Sequence, residues 1–149
     1  MLTRKSKYGL KALLLLAREY ARGPILASEL AGREGIPEKF LQMILLDLKR
    51  RGIVKSKRGH GGGYQLARDP QTIHFGEVLR VLDGPLALTP CVSQTAYQRC
   101  EECADERRCG IRLVMKDVRD RTARILEGAT LAGVNAEVDR SVRRRRPRR

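Results

Sequence analysis

The chain has 149 residues and a mass of 16.8 kDa, enough for one domain with an extension and a real buried core. Lys+Arg 31 against Asp+Glu 17 gives a net charge of +14, which favours a polyanionic partner. Tryptophan is absent, so aliphatic side chains must fill the core, and nothing in the sequence approaches the length of a membrane span. The apolar run Leu13 to Ala17 is too short for a signal peptide and ends at Arg18-Glu19 without a small-residue cleavage site. A cytoplasmic location is therefore expected. There, Cys91, Cys100, Cys103 and Cys109 would be reduced thiols or metal ligands sooner than disulfides.

In chain order, residues 4 to 21 predict a helix with Tyr8, Ala12, Leu15 and Leu16 on related turns, ended by Gly23-Pro24. Ile25-Leu26 reads as a short extended link, after which Ser28 is expected to cap a second helix from Glu29 to Glu34, closed by Gly35. Ile36 and Pro37 open a third helix, since proline at the first helical position loses no needed donor. On it Phe40, Leu41, Ile44, Leu45 and Leu48 form one apolar face, while Lys39, Gln42, Lys49 and Arg50 point away. Gly52 stops the helix and the period changes: Ile53-Val54 and Tyr64-Gln65-Leu66 read as two strands around a tip running from Lys57 to Gly63. Helix, short turn, helix and basic hairpin is the order of a winged helix-turn-helix, with a recognition helix and a wing.

The tip spells His60-Gly61-Gly62-Gly63, similar to the oxyanion loop of lipases and esterases, but no Gly-x-Ser-x-Gly elbow accompanies it. A Walker phosphate loop fails too, because no Gly-Lys-Ser or Gly-Lys-Thr follows and the glycines lead into a strand. With no triad, no carboxylate pair in context and no nucleotide loop, an enzyme is not expected.

After the wing, Asp69-Pro70 turns the chain, and His74 followed by Glu77 suits the start of a fourth helix carrying Phe75, Val78, Leu79 and Leu82, ended by Gly84-Pro85. Residues 85 to 109 lose apolar periodicity and hold all four cysteines. From about Arg108 a narrow stripe of Ile111, Val114, Met115, Val118, Thr122, Ile125, Leu126 and Ala129 suits pairing with a second copy or packing back on its own domain. Residues 140 to 149 contain seven arginines and no acid, and the low-complexity stretch 133 to 149 is expected to be disordered. The expected organisation is mainly α: a winged helix-turn-helix domain over 1–84 with a small β-hairpin wing, a cysteine-bearing sensor loop over 85–109, a dimerisation helix over 110–132 and an Arg-rich tail over 133–149.

The start LTRKSKYGLKALLLLA, the wing KRGHGGGYQLAR, the helix PQTIHFGEVLRVLDG and the cysteine loop before a long helix resemble the IscR, NsrR and CymR type of regulators, also called the Rrf family. The resemblance covers residues 1 to 132. It implies a homodimeric winged-helix transcription factor acting on a palindromic operator in double-stranded DNA. Many such regulators, repressors among them, carry an iron-sulfur cluster, [2Fe-2S] or [4Fe-4S], in the loop before the dimer helix.

By position, the resemblance assigns DNA contacts to Pro37, Lys39 and Gln42 of the third helix and to Arg58, Gly59 and His60 of the wing. Physical chemistry agrees: glutamine can pair adenine through donor and acceptor together, and an arginine at a glycine-flanked tip suits a narrow minor groove. Lys5, Lys7, Lys55 and Lys57 suit phosphates or solvent. The family's cluster-bearing prototype has Glu where this chain has Gln42, so the resemblance does not carry over a cluster-dependent choice of DNA made by acidic repulsion.

The resemblance further assigns metal ligation to Cys91, Cys103 and Cys109. The fourth ligand departs from pattern: the histidine of one branch is Arg112 here, and the partner's acid of another branch falls at Lys7 or Tyr8. Cys100 is the candidate replacement, forming a Cys100-x-x-Cys103 chelating pair. Zinc would also accept four thiolates, although the spacing lacks the paired knuckles of a zinc ribbon. Two rival readings remain: a cluster-free regulator of the same fold that responds to a sulfur metabolite or partner protein, and a zinc-stabilised RNA-binding protein.

Overall fold

Thr3 sets the start of the first helix, α1 (Arg4–Arg18): its Oγ1 accepts the Ser6 N–H at 3.1 Å, satisfying one of the free donors at the helix start. The computed structural model describes residues 2–145. A short 3₁₀ turn, Tyr20–Arg22, follows, then α2 (Ala27–Glu34), α3 (Glu38–Arg50), the hairpin β1 (Val54–Lys57) and β2 (Gly63–Leu66), and α4 (Phe75–Leu82). Two 3₁₀ turns, Pro90–Val92 and Glu106–Arg108, interrupt the cysteine loop before α5 (Gly110–Gly128) and α6 (Leu131–Arg144).

The buried faces of α1, α3 and α4 meet in one aliphatic core. Leu13, Leu41, Ile44, Leu45, Leu48, Ile53 and Ile73 are fully enclosed there. Each such side chain contributes about 1.5–3 kcal/mol relative to exposure. Gly9 makes this crossing possible: a Cβ there would overlap Leu82 and come within 3.3 Å of Ile44 Cγ2. Tyr8 packs edge-on to Phe40 with ring centroids 5.8 Å apart, holding the first turn of α3 against α1.

The strands pair antiparallel in the register Val54↔Leu66, Lys55↔Gln65, Ser56↔Tyr64 and Lys57↔Gly63. Ile25 extends this ladder by exchanging two backbone hydrogen bonds with Tyr64, at 2.9 and 2.7 Å. That pairing changes how α2 begins. Leu26 is held extended at φ −61° and ψ 143°, and the helix starts at once with Ala27, so Ser28 lies inside α2 and is not its cap as expected.

A second correction concerns the C-terminal stretch. The long helix ends at Gly128, and residues 131–144, expected to be disordered from 133, form α6. The chain is tied at the junction: Phe75 N–H donates to Ala129 O at 2.9 Å, and Leu131 N–H to Ile73 O at 3.0 Å. Thr130 caps α6 by accepting the Gly133 N–H at 3.0 Å, Leu131 is fully buried, and Asn135 Nδ2 donates to Leu14 O at 2.9 Å. The expectation for residues 146–149 lies outside the described residues. No helix among those described is long and apolar enough to cross a membrane.

Candidate nucleic-acid interface and cysteine pocket

Because Leu41, Ile44, Leu45 and Leu48 face the core, the opposite side of α3 is left to solvent. It carries Pro37 at the helix cap, then Glu38, Lys39, Gln42, Met43 and Leu46, all exposed. Met43 is 64% and Leu46 44% exposed. Sequence patterning marked Lys39 and Gln42 but passed over three neighbours. Glu38, at the favourable positive end of the helix dipole, accepts a hydrogen bond from Gln42 Nε2 at 3.1 Å. Met43 and Leu46 recur at helical spacing away from the core and offer apolar contact of the kind a thymine methyl accepts.

The wing stands beside this face and is fixed to it. Lys49 Nζ, in the last turn of α3, donates to Ser56 Oγ on β1 at 2.6 Å. The tip closes through Gly62 N–H to Gly59 O at 3.0 Å, with Gly59 at φ +85° and Gly61 at φ +68°, a region where side-chain-bearing residues are strained. At Gly62 the limit is contact, since a Cβ would lie 2.7 Å from Gly59 O, and Gly63 combines φ +138° with a Cβ that would lie 2.8 Å from Leu26 N. Lys57, Arg58, Gly59 and His60 are exposed at the tip. Of the lysines expected at phosphates, Lys5 is already bound to Asp47 at 2.8 Å, whereas Lys7 and Lys55 are exposed.

The four cysteines share a cavity of about 400 Å³ between the 3₁₀ turns and the start of α5, which Arg99, Glu106 and Arg112 also line. All four are free thiols. Cys109 caps α5, its Sγ accepting the Arg112 N–H at 3.4 Å. Cys91 Sγ lies 3.6 Å from Thr89 Oγ1, and Cys103 N–H donates to Cys100 O at 3.2 Å. Desolvation pushes the Cys103 thiol up, with further contributions from the nearby Cys109, Cys100 and Glu106.

The donor set suits a thiolate-loving metal centre: soft sulfur ligands from one short loop, converging on one cavity. Among the described residues, no three His, Cys, Asp or Glu side chains already stand together as a metal-holding group. A four-sulfur site would therefore require the loop to draw the cysteines closer together. The Arg112 Nε is buried in this structure without a hydrogen-bond partner, and a guanidinium is no metal ligand.

The long helix leaves an apolar row uncovered. Ile111, Val114, Val118 and Ile125 are 70%, 52%, 37% and 70% exposed, while Arg119 and Ala123 are its buried residues.

A 47% identical relative from Rhodobacter capsulatus, described as a putative HTH-type transcriptional regulator rrf2-like, matches over 79% of this chain and 81% of its own length. The HTH-type transcriptional regulator IscR of Yersinia pseudotuberculosis is 32% identical over 88% of this chain and 76% of its own. Among solved structures, the CymR global cysteine regulator of B. subtilis superposes with a TM-score of 0.76 at 27% identity, covering 92% of this chain and 97% of that one. IscR of T. potens gives 0.77 at 26% identity, covering 100% and 93%. Residues 2–137 match the family description Rrf2, iron-dependent transcriptional regulator. A winged helix with a glycine-locked basic wing, followed by a cysteine loop and a long helix, thus belongs to the Rrf2 family, and the chain is a transcriptional regulator and not an enzyme.

Proposed function

We propose that this regulator binds a palindromic operator as a homodimer and adjusts its DNA affinity through an iron-sulfur cluster held by the cysteine loop. The observation that carries the DNA half is the exposed face of α3 beside the wing, joined by the Lys49 to Ser56 hydrogen bond. Lys39 and Gln42 read base edges in the major groove, with Pro37 at the helix entry. Arg58, flanked by Gly59 and His60, enters the adjacent minor groove. Lys55 and Lys57 neutralise phosphates.

Homodimerisation is supported by the uncovered row on α5, where four exposed aliphatic side chains at helical spacing suit a second copy of the same helix. The metal half is supported by the shared cavity: Cys91, Cys103 and Cys109, with Cys100 as fourth ligand, would hold a [2Fe-2S] or [4Fe-4S] cluster. When bound, the cluster supplies a centre whose stability responds to iron supply, oxidation or nitrosative attack. The chain couples that centre to DNA through Cys109, which caps α5, so reordering residues 91–109 acts on the helix that sets the spacing of two reading heads.

One observation favours a second reading, a cluster-free regulator of the same fold that responds to a sulfur metabolite or partner protein: no three donors already stand together as a metal-holding group among the described residues. Selection of binding sites from random duplexes, followed by footprinting, tests the DNA half. The proposal requires an imperfect palindrome with half-sites in helical phase, and one asymmetric half-site would refute the dimer.

A further inference from the structure

We propose that the C-terminal end of α6 is an additional phosphate-binding element, which grips the DNA backbone outside the half-site read by α3 and the wing. This rests on α3 and the wing forming the DNA-facing side. The placement of α6 comes from two contacts. Asn135 lies beside Leu14 and Asp139 beside Arg18, whose Nη1 it accepts at 3.0 Å, so α6 runs parallel to α1 and continues past its end. Past Arg18 the main chain turns through Tyr20–Arg22 and enters the extended link in which Ile25 pairs with Tyr64 of the wing strand. The last turn of α6 and the link that pairs with the wing strand therefore both continue from the same end of α1.

The charge on that last turn is concentrated and unopposed. Arg140, Arg143, Arg144 and Arg145 are exposed, and the sequence continues with Arg146, Arg148 and Arg149. Of the two acids of α6, Glu137 pairs with Arg140 and Asp139 with Arg18, which leaves the three arginines after them unmatched. Arg143, Arg144 and Arg145 enter no ion pair among the described residues. Basic residues offset the dipole at a helix C-terminus, but that effect falls off within one turn and explains one or two arginines, not an unbroken run. The guanidinium fork matches phosphate oxygens, and a helix docked on the reading domain holds its forks at a fixed offset from the operator. RNA and membrane surfaces fit less well: α6 has no aromatic residue on which a base could stack and no bulky anchor for a lipid interface.

The test is the full-length chain with Arg143→Gln, Arg144→Gln and Arg145→Gln together, compared with the parent. Both are titrated against an operator duplex and a random duplex, each with one extra helical turn of flank, between 50 and 200 mM salt. The proposal requires affinity to fall by the same factor on both duplexes, roughly tenfold or more, and the slope of log K against log salt to fall by about 0.9 per phosphate released. Trimming the flanks should weaken the parent and leave the variant unchanged. Unaltered affinity and slope would overturn the proposal, as would a loss confined to single-stranded RNA or anionic vesicles. An unchanged melting curve excludes unfolding as the cause. A parent chain without operator preference would count against α3 and the wing instead, because the α6 comparison depends only on duplex affinity and its salt slope.

Discussion

Glu38 and Gln42 form a hydrogen-bonded pair one turn apart on the open face of α3, Gln42 Nε2 donating to Glu38 Oε1 at 3.1 Å. The amide is thereby oriented before DNA arrives, and its remaining donor and its carbonyl are left for a base edge. Gln42→Ala should cost about 1–3 kcal/mol on the operator and relax specificity at one base pair. Titrations against operator variants at each position measure this; an equal loss on every sequence would make Gln42 a backbone contact.

Arg58 and Lys57 sit side by side at the wing but should behave differently. Arg58→Ala is expected to weaken specific binding by about 1–3 kcal/mol, whereas Lys57→Ala weakens all duplexes alike and lowers the salt slope by about 1. Competition between operator and random DNA distinguishes them, and matching losses would reduce Arg58 to a phosphate contact.

Asp83, at the end of α4, accepts from both the hydroxyl and the backbone N–H of Thr3. Burial raises its pKa, but the hydrogen bonds from the Thr3 hydroxyl and N–H, with Ser6 and Lys5 nearby, outweigh it and hold the carboxyl below its ordinary value. A depressed carboxylate stabilises the fold above its unfolded pKa, and that contribution disappears as pH falls through the folded pKa. Asp83→Asn should therefore lower stability at neutral pH by at most about 1 kcal/mol, given the exposure of the site, with the difference from wild type vanishing in acid. Denaturant curves at neutral and acidic pH measure this, and a pH-independent difference would contradict it.

The cysteines give a graded expectation. Cys91→Ala, Cys103→Ala and Cys109→Ala should each abolish cluster binding, and Cys100→Ala should leave a labile cluster with shifted absorption. If Cys100→Ala leaves spectrum and lability unchanged, the four-cysteine site is wrong and the fourth position is open or filled from outside the loop.

The winged domain was legible because its signals are local. The spacing of Leu41, Ile44, Leu45 and Leu48, the stop at Gly52 and the glycines of the wing each predict the element found. What the sequence hid depends on distant partners. Ile25 pairs with Tyr64, nearly forty residues away, and this moved the start of α2 ahead of Ser28. The repeat of Leu131, Val134, Val138 and Val142 was masked by the surrounding arginines, and only the docking of Leu131 and Asn135 on the body shows that α6 has a side to bury. The Glu38 to Gln42 pair was missed because an acid one turn from an exposed glutamine carries no periodic signal.

The most direct test of the account is iron and acid-labile sulfide analysis of anaerobically purified protein, with its absorption spectrum and its operator affinity before and after the cluster is removed. The protein should be brown and contain both elements, with an affinity that changes on removal while the fold persists. Colourless protein that lacks iron and sulfide, yet binds its operator fully, would contradict it and establish the cluster-free regulator.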